Sequence, residues 1–139
     1  MSELADVQAL LALQPFVREL AIRVVSVAPG AVVVEMPFAE RFSSPPGLFP
    51  AGIVGTLGDI AAAATCLSLL PTGWAAATLD FTVKMTGKAQ GDTLLARGRV
   101  LHAGKTLSVG AADVFSVMAG RETLCGAVLA TTRNFQTKS

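Results

Sequence analysis

Residues 51–70 read AGIVGTLGDIAAAATCLSLL, and the fold turns on whether this run spans a membrane or lies at the centre of a globular domain. Pro50 precedes it, Pro71-Thr72-Gly73 closes it, and four alanines occupy 61–64, so the run predicts a helix of about 20 residues and about 30 Å. From Phe42 through Leu79 the only formal charge is Asp59. At the middle of a bilayer that carboxylate would cost about 2.5–3.5 kcal/mol. No Lys or Arg flanks the run closely, and most of the chain after it has strand character. We therefore read a helix that is apolar nearly all round because a sheet curls about it. Gly52, Gly55 and Gly58 recur at intervals of three, a small-residue stripe for close backbone approach, each costing about 1 kcal/mol of helix stability relative to alanine.

Outward from this helix the pattern changes. On its N-terminal side, 38–50 carries Pro45, Pro46, Gly47 and Pro50 with Ser43 and Ser44, a density of breakers that predicts an irregular loop long enough to suspect function. Residues 20–36 are dominated by β-branched side chains around the turn Ala28-Pro29-Gly30, which reads as a hairpin. Leu4, Val7, Leu10, Leu11 and Leu13 predict a short amphipathic helix over 3–14, with Ser2 able to cap it. On the C-terminal side four strands are expected, at 74–86, 92–102, 105–118 and 122–133, with short connectors that predict a four-stranded antiparallel meander. By alternation Asp80 shares a face with Thr78 and Thr82, while Leu79, Phe81, Val83 and Met85 line the other. Asp80 is then a structural or subunit-contact residue.

The chain's 139 residues and 14.3 kDa suit one domain over 1–139. A net charge of +1 supplies no basic field, which argues against nucleic acid as a partner. With 52% hydrophobic and 15% charged residues and a mean hydropathy of +0.57, apolar surface is expected to be hidden between subunits. Cys66 and Cys125 lie in apolar runs as small core residues, too few for a disulfide framework or zinc site. A single histidine, His102, removes nucleophile systems that need a second imidazole, and beside the turn at 103–104 it reads as a surface residue. Trp74 reads as core packing. The start, MSELADVQAL, has no cationic segment leading into an apolar one, so a cytoplasmic location is expected.

Asp59 is the most informative residue. A buried carboxylate needs a hydrogen-bond donor or a chemical task, and both readings stay open on the residues alone. FPAGIVGTLGDIAAAAT (49–65) resembles the helix-opening motif HGGxxxxLxD of hotdog-fold acyl-CoA thioesterases of the phenylacetate-degradation (PaaI-like) type. TLDFTVKM (78–85) and GDTLLARGRVLHAGKTL (91–107) are similar to that family's following strands, and the likeness covers about residues 20–133. It implies an α+β hotdog fold, an antiparallel sheet wrapped around one long central helix with a short N-terminal helix. It implies hydrolysis of a small-molecule acyl-CoA to free acid and coenzyme A, with no cofactor beyond the coenzyme A of the substrate and no metal. Asp59 matches the acid that acts as general base or nucleophile. Ala51 matches the glycine whose amide points at the thioester carbonyl, and Gly52 the second glycine. Thr78 falls where some members carry a Ser or Thr that assists the acid. Pro50 occupies the family histidine's place, and Ser44 that of an Asn found in some members.

The amides after Pro50, aided by the helix dipole, suit an oxyanion. Ala51 and Asp59 are eight residues apart, about 12 Å along a helix, too far to serve one carbonyl. A working site then takes Ala51 from one subunit and Asp59 from another, and a homodimer assembling into a homotetramer is expected. Lys84, Arg97, Arg99 and Lys105 are candidate partners for the coenzyme A phosphates, or else solvated strand charges. The alternative function is a non-catalytic hotdog protein that binds an acyl-CoA or related ligand, motivated by Pro50 and Ala51 in place of His-Gly. A hydratase fits less well, since His102 lies off the central helix.

Overall fold

The computed structural model describes residues 4–137, so the proposed Ser2 cap lies outside the described residues. Two short helices, α1 (Leu4–Leu11) and α2 (Pro15–Glu19), lead into the hairpin β1 (Arg23–Ala28) and β2 (Ala31–Pro37). The long helix α3 (Ala51–Leu67) follows, then β3 (Trp74–Met85), β4 (Thr93–Ala103), β5 (Leu107–Met118) and β6 (Arg121–Gln136). All six strands form one antiparallel sheet in the order β1-β2-β4-β5-β6-β3.

That sheet packs its inner face on α3. Val54, Leu57, Ala61 and Ala62 of the helix are buried against Val34, Leu94, Ala96, Ala112, Val114 and Val128 of the strands, in one core that also holds Cys125, while Cys66 is buried outside that cluster, next to Gly110. The three helix glycines do not form a single stripe, because a step of three residues drifts around the helix. A Cβ on Gly58 would lie 2.3 Å from Val128 Cγ2, one on Gly55 would sit 3.1 Å from Phe81, and Gly52 faces nothing within 4 Å. The sheet answers with glycines of its own: a Cβ on Gly98 of β4 would lie 2.5 Å from the Ala61 carbonyl oxygen. Thr65 and Ser68 tie the far end of the helix to the hairpin, accepting hydrogen bonds from the Val32 and Gly30 amides.

Several expectations need correction. The helix has 17 residues, with Pro50 as its extended N-cap and Ser68 as its C-cap, so the turn after Leu67 takes up the rest of the predicted run. The N-terminal segment is two helices, and Leu20, expected to open the hairpin, caps α2. The 38–50 loop contains a 3-10 turn at Glu40–Phe42 and a bridge between Ser44 and Leu48. The meander holds only for β4-β5-β6. β3 pairs with β6 at the opposite edge, and residues 86–92 cross back beneath β6 and β5. The crossing covers three strand spacings, about 14 Å, within reach of roughly 23 Å for that length of chain. It hugs the strand ends closely, since a Cβ on Gly91 would stand 2.4 Å from the Val117 carbonyl oxygen.

Candidate active site

Asp59 sits on α3 midway along the face the sheet leaves uncovered. Along that face Gly52, Thr56, Asp59 and Ala63 keep partial or full exposure, while Val54, Leu57, Gly58, Ala61 and Ala62 are buried. The spacing of four, three and four residues is that of one helix face. The Asp59 carboxylate accepts a hydrogen bond from the Thr78 hydroxyl at 2.8 Å. Burial pushes its pKa above the ordinary aspartate value, and the Thr78 hydrogen bond pulls against that rise.

Thr78 reaches the helix because of a break in the strand. The register of β3 on β6 shifts between Thr78, opposite Thr132, and Asp80, opposite Thr131, so Leu79 is an extra residue and the faces invert beyond it. Phe81 and Val83 therefore join Thr78 on the inner side, where they pack against Gly55. Asp80 does not share the Thr78 face as strict alternation predicts, and it is exposed. Alternation carries no signal for a single inserted residue.

Asp59 and Thr78 line a cavity of about 520 Å³ between α3, the first half of β3 and the N-terminal helices. Its remaining walls include Leu10, Leu13 and Phe16, residues the sequence reading did not connect with the site. Leu13 is 73% exposed, whereas Leu11, two residues earlier and also at the cavity wall, is buried in the core. A second cavity of about 270 Å³ lies at the far end of α3, lined by Cys66, Leu70, Trp74, Lys105 and Ser108 among others. Trp74 is thus a half-buried cavity wall.

At the other end of the helix the Pro50 carbonyl accepts the Ile53 and Val54 amides, both at 3.0 Å. The Ala51 and Gly52 amides have no acceptor among the described residues, and both residues are exposed. Ala51 stands about 12 Å from Asp59 by helical rise, so a single chain does not bring the two together. Ser44 bonds through its backbone to Leu48, closing the turn before the helix.

The four candidate cations are dispersed. Arg97 and Arg99 point away from α3 on the outer face of β4, flanking Gly98. Arg97 makes a two-pronged pair with Glu122 at 2.6 and 2.8 Å and lies over the Phe115 ring, while Arg99 pairs with Asp113 at 2.9 Å. The Arg97 hydrogen bonds hold the Glu122 carboxyl below its usual range. Lys84 on β3 and Lys105 in the β4–β5 turn make no ion pair among the described residues. No group of three or more His, Cys, Asp and Glu side chains among the described residues is placed to hold a metal. No helix among them is long and apolar enough to cross a membrane.

No protein-family model matches the chain, and no curated protein does. Solved structures match over nearly its full length. A thioesterase family protein from Silicibacter pomeroyi superposes with a TM-score of 0.89 and 29% identity, over 94% of this chain and 96% of that one. A protein of the thioesterase superfamily gives 0.84 and 26%, again over 94% and 96%. A thioesterase from Haemophilus influenzae gives 0.86 over 100% and 94%, where 17% identity speaks for the fold alone. With a six-stranded antiparallel sheet packed on one long helix, the chain belongs to the hotdog-fold thioesterase superfamily.

Proposed function

We propose that this protein hydrolyses a small-molecule acyl-CoA thioester to the free acid and coenzyme A, at a site shared by two copies of the chain. The observation that carries the reading is the Asp59 carboxylate, hydrogen-bonded to Thr78 at the wall of a largely apolar cavity. A carboxylate with a raised pKa is a stronger base than an ordinary aspartate. As base it takes a proton from the water that attacks the thioester carbonyl; as nucleophile it would form a mixed anhydride that water then opens. Negative charge then develops on the carbonyl oxygen, where the Ala51 and Gly52 amides of the second copy are the donors. Collapse of the tetrahedral intermediate breaks the C–S bond and releases the coenzyme A thiolate.

The 12 Å separation and the surface next to Asp59 support the shared site. β3 is an edge strand of 12 residues, and Leu79, Phe81 and Met85 on it are exposed at 58%, 42% and 42%. A long apolar edge is a template for another strand. Pairing β3 with its symmetry copy would bring the open face of each α3 toward the other across a two-fold axis, giving two equivalent sites.

The test is Asp59→Asn, which keeps volume and removes the base. Free-thiol release from a panel of acyl-CoAs should fall by about 100-fold or more, with the unfolding transition still cooperative. Undiminished turnover would overturn the assignment. Pro50 favours one second reading, a non-catalytic acyl-CoA binder: it lacks an N–H and stands where the family carries histidine. Tight acyl-CoA binding without thiol release would identify that case.

A further inference from the structure

We propose that the α1–α2 segment forms one wall of an acyl groove that selects straight, uncharged chains of medium length. The inference rests on the thioesterase reading of Asp59 and adds to it the class of acyl group. The groove holding Asp59 and Thr78 continues along α3 past Ala63 and Ala64 to Leu67. From Asp59 to Leu67 the helix advances about 12 Å, the extended length of roughly eight to ten acyl carbons. The floor is kept open by small side chains, Ala63 on the helix and Ala75, Ala76 and Ala77 on β3. Leu10, Leu13 and Phe16 close it from the side.

The N-terminal helices are built for this position. Val7, Leu11, Val17 and Leu20 anchor them in the core, and the Gln8 side chain accepts the Val24 amide at 2.6 Å. The anchored face leaves Leu13 and Phe16 turned outward along the groove, at 73% and 44% exposure, a costly display for two apolar side chains unless something apolar covers them. Among the described residues no Lys, Arg or His lines the groove, and the polar members are Gln14, Thr78 and Asp59 itself. A terminal carboxylate on the acyl group would meet no cation there, and Asp59 would repel it. The phosphates of coenzyme A are excluded on the same ground, so the groove receives the acyl end.

The experiment is a kcat/KM series with acetyl-, butyryl-, hexanoyl-, octanoyl-, dodecanoyl-, phenylacetyl- and succinyl-CoA. We expect about a fourfold gain per methylene up to octanoyl, a plateau or decline beyond decanoyl length, and the poorest rates with succinyl-CoA. Ala63→Leu fills the groove one helical turn beyond Asp59. It should cut octanoyl-CoA hydrolysis by about 50-fold and leave acetyl- and butyryl-CoA within about threefold. Leu13→Asn, at an exposed position where folding is not at risk, should cost octanoyl-CoA about tenfold and acetyl-CoA markedly less. Hydrolysis that is flat with chain length, favours phenylacetyl-CoA over octanoyl-CoA, or falls equally for all chains in both variants overturns the groove alone. If the wild type hydrolyses none of the panel, the reading of Asp59 fails and the groove with it.

Discussion

Asp59 carries opposing influences whose balance is measurable. Burial raises its pKa and the Thr78 hydroxyl lowers it. Thr78→Val removes the donor, so the carboxylate becomes harder to ionise and the acid limb of the kcat/KM profile should move to higher pH, with Thr78→Ser restoring it. A limb that stays in place would show that the hydroxyl does not tune the acid. Stability should respond as well. Because the folded-state pKa lies above the unfolded one, the native state is favoured while the group is protonated, and loses that advantage as pH rises from the unfolded to the folded value. Asp59→Asn should therefore be more stable than wild type at neutral pH, with the difference vanishing below the ordinary aspartate range. Parallel thermal melts at neutral and acid pH check this. Half-burial in a cavity open to water tempers the size of the effect.

At the scale of elements, the contact between α3 and the sheet depends on glycines that no helix-propensity argument would favour. Gly58 is the tightest, with Val128 Cβ only 2.8 Å from where a methyl would go. Gly58→Ala should gain helix propensity yet lose about 1–3 kcal/mol overall through overpacking, read as a lower urea midpoint. Adding Val128→Ala should recover part of the loss if the clash is its cause. Gly52→Ala, where no atom lies within 4 Å, should not destabilise the isolated fold. The bulge at Leu79 is the other decisive local feature: one residue inserted into β3 turns Thr78 toward Asp59 while Phe81 and Val83 still pack on Gly55.

At the scale of the whole molecule, the proposed division of the site between two copies makes a test that single-variant losses cannot mimic. Ala51→Pro removes one amide donor without disturbing the helix start, since proline is favoured at the first helical position. The Pro50 before it already has the extended backbone, ψ 153, that a following proline requires. Ala51→Pro and Asp59→Asn should each be inactive as homodimers. Mixed and reassembled, they should regain up to about a quarter of wild-type activity, because half the dimers are hybrids with one intact site of two. No recovery despite demonstrated exchange would place both residues in the same copy's site.

Read alone, the amino-acid sequence placed most of the elements and singled out Asp59. Breakers and β-branched runs are local signals, and a lone charge in a long apolar segment marks Asp59 wherever the segment ends up. The hairpin and the central helix followed from the same local patterns, although the helix ends three residues early, at Leu67. Strand order, the inversion of faces beyond Thr78 and the wall contributed by Leu10, Leu13 and Phe16 came only with the tertiary structure. These depend on which distant segments pair and in what register, and a pattern of period two is the same whether β3 lies beside β4 or at the far edge against β6.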